Sequence, residues 1–391
     1  MQNETPSFSL VQGGPTYQLL RRLRLCGNDL EFAPRRIVAI CLVAWLPLVI
    51  LTSLKRHAFS GILNVPFLYD VEAHVRLLVT LPILIASERF VQLRLGPLVS
   101  NFTRRHIIRE PDMPRYQAAV VSAMRLRDSV VAEIVVLILA IVLGQLFWRN
   151  SGSLDAATWY AIPERGGFGL TPAGYWYIFV SLPIVQFLLL RWYFRFFVWC
   201  RFLIRVSRLQ LHLIPTHPDR AGGLGFLGTT SYIFAPLLFA QGALLSGLIA
   251  TRVLYAGQKL LSFKVEAAAF IGFFVVAVLA PLCVFALQLV RAKLDGQGMY
   301  GRLATTYVAG FENKWGLGEG AGAEDLLGTS DIQSLADLDS SYAIVKEMRT
   351  LPFSFGDAMR LVWASSAPLL PLAFVVFTPE QLIEQLVKVL V

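Results

Sequence analysis

The stretch His212–Gly228, HLIPTHPDRAGGLGFLG, carries the side chains best suited to chemistry. His212, His217 and Asp219 supply two imidazoles and a carboxylate, donors that suit zinc or manganese. No cysteine or third histidine completes a set, so no metal is expected and the three remain weak candidates. Gly223, Gly225 and Gly228 have the letters of a dinucleotide fingerprint, but no strand precedes them and an apolar run follows. A structural account competes with both. Pro215 and Pro218 end one helix, Asp219 or Arg220 fixes a turn, and the glycines let the next helix start close to a neighbour. Gly316, Gly318, Gly320 and Gly322 read as linker. Neither G-x-S-x-G, H-E-x-x-H nor a Walker pattern occurs. The acids Glu312, Asp331, Asp337 and Asp339 have no evident partner set, so neither an enzyme nor a cofactor is expected.

A second group of candidates lies in or beside long apolar runs. Gln186, Gln241 and Gln288, with Ser365 and Ser366, could line a wet path; their alternative is hydrogen bonding between helices. Glu133 falls about one turn inside an apolar run, where an ionisable group marks a functional position by default. Pairing with an arginine explains it equally well. Arg191, Arg195, Arg201, Arg205 and Arg208 share one side of a helix. They begin where the apolar core ends and do not repeat every third residue. A surface for anionic lipid or an acidic partner is therefore expected in preference to a voltage sensor.

The elements that must position these residues are legible in the composition. Only 16% of the 391 residues are charged and 55% are hydrophobic, against about 25% charged in an ordinary soluble domain. The apolar residues form blocks at 37–54, 130–148, 174–190, 226–250, 265–290 and 361–378, each near the ~20 residues that cross a bilayer. A seventh, 71–91, is charged at its ends; Asp70 with His74 and Glu72 with Arg76 can pair one turn apart. Glu88 and Arg89 are expected at the headgroup level of its other end. Seven spans with the N-terminus inside place most of the 35 Lys and Arg in cytoplasmic segments, as the positive-inside rule requires. The net charge of +9 thus points to anionic headgroups, not to nucleic acid. The expected fold is an all-α polytopic transmembrane bundle of about seven spans, with helices extending into the cytoplasm.

Residues 1–36 read as a cytoplasmic start, 37–290 as spans one to six with basic loops, and 291–354 as a cytoplasmic helical segment. Residues 355–378 form span seven, and 379–391 an amphipathic tail. Span four is expected to run unbroken from Gly174 to about Leu213, with Trp192, Tyr193, Phe194, Phe196, Phe197 and Trp199 marking the interface. An amphipathic helix over Asp331–Met348 is expected to pack on its extension. Pro47, Pro82, Pro183, Pro236, Pro281, Pro368 and Pro371 interrupt the spans, as in channels and transporters, although proline is common in transmembrane helices generally. Cys26, Cys41, Cys200 and Cys283 have no metal or redox spacing.

Three features, HPDRAGGLGFLG (His217–Gly228), TSDIQSLADL (Thr329–Leu338) and a final apolar span with a short amphipathic tail, resemble a widespread group of bacterial multi-pass membrane proteins. The resemblance implies residence in the bacterial inner membrane and carries over no catalytic role, while the distribution of Lys and Arg predicts a cytoplasmic N-terminus and a periplasmic C-terminus. Small residues in span five (Gly242, Ser246, Ala250) permit close helix contact, and a homo-oligomer is expected. The reading of function is passage of an ion or small solute, gated by helices around His217–Arg220 and Asp331–Met348. A sensor or scaffold recruiting a cytoplasmic partner is the second reading, and a membrane-lipid enzyme the third.

Overall fold

In a computed structural model, residues 8–27, 30–55, 58, 65–151, 158–164, 167–316 and 330–376 are described. The expected tail over 379–391, and Gly318, Gly320 and Gly322 of the linker, lie outside them. In chain order the helices are Pro15–Arg22 (α1), Ala33–Leu54 (α2), 71–104 (α3), Met113–Arg127 (α4) and Val130–Ser151 (α5). A two-stranded hairpin, Ala161–Glu164 (β1) and Gly167–Leu170 (β2), precedes Pro172–Val206 (α6). Gly225–Tyr255 (α7), Leu260–Gly316 (α8), Ser330–Glu347 (α9) and 355–376 (α10) complete the fold. The all-α class is as expected. Four helices, α2, α6, α7 and α8, are long and apolar enough to cross a membrane. The pair Glu110–Arg127 and Val130–Leu146, bent by 45°, makes a fifth if it counts as one span.

Side-chain contacts sort the ends of these helices onto two sides. On one, the Trp159 indole N–H donates to the Asp70 carboxylate at 2.8 Å, and the Tyr255 hydroxyl donates to the Tyr69 carbonyl at 2.7 Å. The start of α3, the approach to α6 and the end of α7 meet there. Towards the other side, charges from α2, α3, α5 and α6 converge, and Gly228 in the first turn of α7 adjoins Asp357 in the first turn of α10. Successive apolar helices therefore alternate in direction.

The prolines are absorbed by changes of helical winding. A π-helical stretch, Val75–Thr80 in α3 and Tyr177–Ser181 in α6, stands just before Pro82 and Pro183. The wider turn moves the preceding carbonyl away from the pyrrolidine ring. Pro281 and Pro368 sit in tighter 3-10 stretches, Ala280–Phe285 and Ala367–Leu369.

Some elements depart from expectation. Helix α6 ends at Val206, not near Leu213. Beyond it the chain turns, and Leu211 pairs by a bridge with Ile108. Helix α9 packs on α8 and not on α6: Gly296 of α8 faces Val345, and the Tyr307 hydroxyl donates to the Asp331 carbonyl at 3.0 Å. Trp192 and Trp199, expected at an interface, are fully buried. Each found a partner that sequence periodicity does not reveal: the Leu84 carbonyl accepts from Trp192, and Phe202 stacks on Trp199.

Candidate functional site

The apolar runs of four helices each meet a charge at the same level. Arg36 opens α2, Glu88 follows the apolar stretch of α3, Glu133 lies in the first turn of α5, and Arg191 follows the apolar stretch of α6. Packing the four helices together brings these charges into one buried cluster, joined by Arg195 one turn beyond Arg191. Glu88 is its centre. Its Oε2 lies 2.6 Å from Arg36 Nη2, and its Oε1 lies 2.8 Å from Arg195 Nη1 and 3.5 Å from Arg191 Nη1. Arg36 also donates to the Ile85 carbonyl at 3.2 Å, and the Arg195 guanidinium lies 5.1 Å from the centre of the Trp192 ring. Glu88, expected to reach headgroups at the end of its span, is 3% exposed and enclosed by protein. Arg191 and Arg195, expected on a lipid-facing surface, are 7% and 3% exposed. The reason is mutual: an unpaired charge here would carry a large desolvation cost, which paired charges offset. Of the predicted arginine stripe only Arg208 is exposed, with Arg201 and Arg205 half-buried.

The N-terminal segment covers this cluster. Phe8, Ser9, Leu10 and Val11 are buried, and the Phe8 ring lies against Phe202 at 4.9 Å. Arg127 donates to the Ser9 carbonyl at 2.8 Å and is neutralised by Asp128 at 2.7 Å. Gly13 and Gly14 then take φ of +149° and +82°. A side chain at Gly13 would strike Arg127 and Asp128. Pro15 starts α1, and its first turn is met by Glu133, whose two carboxylate oxygens accept from the Thr16 N–H at 3.2 and 3.1 Å. A carboxylate at a helix N-terminus is favoured by the exposed N–H groups there. Arg191 Nε lies 3.6 Å from the same carboxylate. Glu133 is thus a shared anchor for α1 and α6, and its contact with Arg191 is the arginine pairing expected as the alternative to a functional role.

Between this covering segment and the cluster lies a cavity of about 20 Å³. It is lined by Gly13, Gly14, Arg127, Glu133, Arg191 and Arg195, with Leu10, Val136 and Phe194 on its apolar side. Two open grooves also lie among the described residues. One, of about 580 Å³, is apolar and runs along α2 beside Trp176; the other, of about 480 Å³, lies between Tyr69, His74 and Tyr255.

The His212–Gly228 stretch folds around Asp219. Its Oδ1 accepts from the Ala221 and Gly223 N–H groups at 2.8 and 3.1 Å, and its Oδ2 from Gly225 N–H at 2.9 Å. His217 Nδ1 lies 2.9 Å from Oδ1. Burial raises the Asp219 pKa, but the three backbone donors, aided by His217, outweigh it and hold the carboxyl below the usual aspartate value. Asp219, not Arg220, therefore fixes the turn. Among the described residues no three His, Cys, Asp or Glu side chains could hold a metal together, and His212 stands apart with its N–H on the Ile107 carbonyl. The glycines serve close approach: a Cβ at Gly222 (φ +63°) would meet Met348, and one at Gly228 would meet Asp357. The Arg349 N–H and guanidinium donate to the Arg220 and Asp219 carbonyls at 2.6 and 2.8 Å. Arg220 also pairs with Glu347 at 2.9 Å. So the turn is bound to the end of α9, seven residues before α10 begins with a Ser354–Asp357 capping box.

The uncharged candidates are not brought together. Gln241 donates to the Tyr193 hydroxyl, and Gln288 donates to the Ser207 and Leu209 carbonyls. Ser365 and Ser366 bond back to their own helix. Gln186 Oε1 is buried without a partner, beside Gly144. Gly242 lies against the Ser365 backbone of α10, so it serves a contact within the chain.

The sequence reading missed Arg36, Glu88 and the covering segment. The signal available was that Arg36, Glu88, Glu133 and Arg191 each adjoin an apolar run at the end that alternation places on one side. Comparison of the chain with protein-family models, with curated proteins and with solved structures finds no match to any of them.

Proposed function

We propose that this is a seven-span protein of the bacterial inner membrane, N-terminus cytoplasmic and C-terminus periplasmic, that passes a small ion or solute. The observation that carries the reading is the cluster of five charges, four of them buried, at the ends of four apolar helices. Charges at such a depth are costly and mark ion or substrate paths. The alternation of the apolar helices supports the span count, with α3 and α10 as the two spans beyond the five clear by length and hydropathy. The segment Phe8–Arg22 closes the cytoplasmic end on this reading. The bond between the Asp219 turn and the end of α9 gives the cytoplasmic helices a short link to α10, through which they gate. Anionic headgroups beside Arg201, Arg205 and Arg208, and further copies of the chain, are the partners proposed.

The second reading, a sensor or scaffold, draws on the same link together with the self-satisfied Gln241, Gln288, Ser365 and Ser366. Flux measured in liposomes separates the two. Purified protein should pass chloride or iodide above empty liposomes, faster than potassium, and Arg191→Gln should slow the anion while Glu347→Gln leaves it unchanged. Silence for every ion, with and without residues 8–22, would transfer the reading to the sensor.

A further inference from the structure

The charge cluster does not balance. Among the described residues, Arg36, Arg191 and Arg195 pair with Glu88 and Glu133 alone, which leaves one positive charge in excess there; Arg127 is already matched by Asp128. The excess is concentrated at Arg191. Its guanidinium can donate five N–H groups. Its two carboxylate neighbours stand at 3.5 and 3.6 Å, and no hydrogen bond forms to it among the described residues. Arg195 makes one side-chain hydrogen bond, to Glu88. Both side chains line the 20 Å³ cavity under Gly13 and Gly14. The two side chains are 8% and 4% exposed, and donors so enclosed usually meet an ion or an ordered water.

We propose that this cavity binds one monoatomic anion of chloride size. A volume of about 20 Å³ suits a single sphere of water size or slightly larger, which favours a monoatomic anion over phosphate, sulfate or a carboxylate. A halide would supply the missing negative charge and accept from both guanidinium groups at once. The opposite wall, Leu10, Val136 and Phe194, suits a weakly hydrated anion and disfavours fluoride or hydroxide. The N-terminal segment roofs the site, so bound halide and the closed segment stabilise each other. The site rests on charge and geometry alone, and stands whether or not the protein conducts.

Thermal unfolding of the full-length protein in detergent, at constant sodium and ionic strength with gluconate replaced by chloride or bromide, tests this. Binding to the folded state raises Tm with ligand concentration, by about 3 °C or more once the halide is well above its half-saturating level. Arg191→Gln makes the cluster neutral and should abolish the halide dependence. Val136→Leu keeps every charge but fills the cavity, and should abolish it too. Glu133→Gln doubles the excess charge and should lower the half-saturating halide concentration roughly tenfold. Equal Tm in gluconate and halide would mean that water alone occupies the cavity, and would overturn the proposal. So would halide dependence that survives both Arg191→Gln and Val136→Leu. A halide-dependent Tm with silent liposomes would keep the site and remove the permeation reading. Halide-independent Tm with anion flux would do the reverse.

Discussion

Two carboxylates organise this molecule, and they are satisfied in opposite ways. Asp219 gathers three backbone N–H groups and a histidine within one turn of chain. Its partners come from residues within six positions of it, and every donor is placed by the local backbone. Glu88 gathers guanidinium groups from α2 and α6, far away in sequence. Its partners carry full charges, outnumber the carboxylates and leave donors over. A saturated carboxylate of the first kind holds a fold in place. An over-supplied cluster of the second kind retains a demand for something further, and that makes it the better candidate for function although the Asp219 turn has the more distinctive sequence.

The largest expected effect is at Glu88. Glu88→Gln leaves three buried guanidinium groups with one carboxylate, and should cost about 3–5 kcal/mol, seen as a large fall in Tm in low-halide buffer. A loss below about 1 kcal/mol would mean that water, not Glu88, balances the arginines. Asp219→Ala should cost about 2 kcal/mol by stranding the Ala221, Gly223 and Gly225 amides, and should not change halide dependence. The Asp219 carboxyl is held below its usual value, so its contribution is complete above about pH 4 and is lost as pH falls through the folded value. Proteolysis of the 212–228 turn, followed as pH is lowered, should rise in wild type and be high throughout in Asp219→Ala.

Smaller effects sharpen the contrast. Arg191→Gln removes the surplus charge and should cost less than about 1 kcal/mol without halide, despite near-complete burial. A loss as large as that of Glu88→Gln would break the distinction drawn between surplus and central charges. Glu347→Gln breaks an ion pair whose side chains are more than half exposed and should change stability by no more than about 0.5 kcal/mol.

Much of the fold can be read from the chain because long apolar blocks and caps are local properties. The blocks at 37–54, 174–190, 226–250 and 265–290 became helices, and α9 begins and ends within a residue of expectation. Asp219 was legible as a turn former for the same reason: its partners are its neighbours. The reading was weaker where partners are distant. Arg191 and Arg195 look like surface residues along α6, and Glu88 like a headgroup anchor, because periodicity records which side of a helix a residue occupies but not what faces it.

By itself the sequence determined the helical class, the apolar runs, the proline positions and the closure of the Asp219 turn, all set by interactions within a few residues or by composition. Only the tertiary structure decided that Arg36, Glu88, Glu133, Arg191 and Arg195 form one cluster, that Phe8–Arg22 covers it, and that α9 packs on α8. Those outcomes depend on the crossing of helices far apart in the chain, where the cost of burying a charge is met only by another element that arrives beside it.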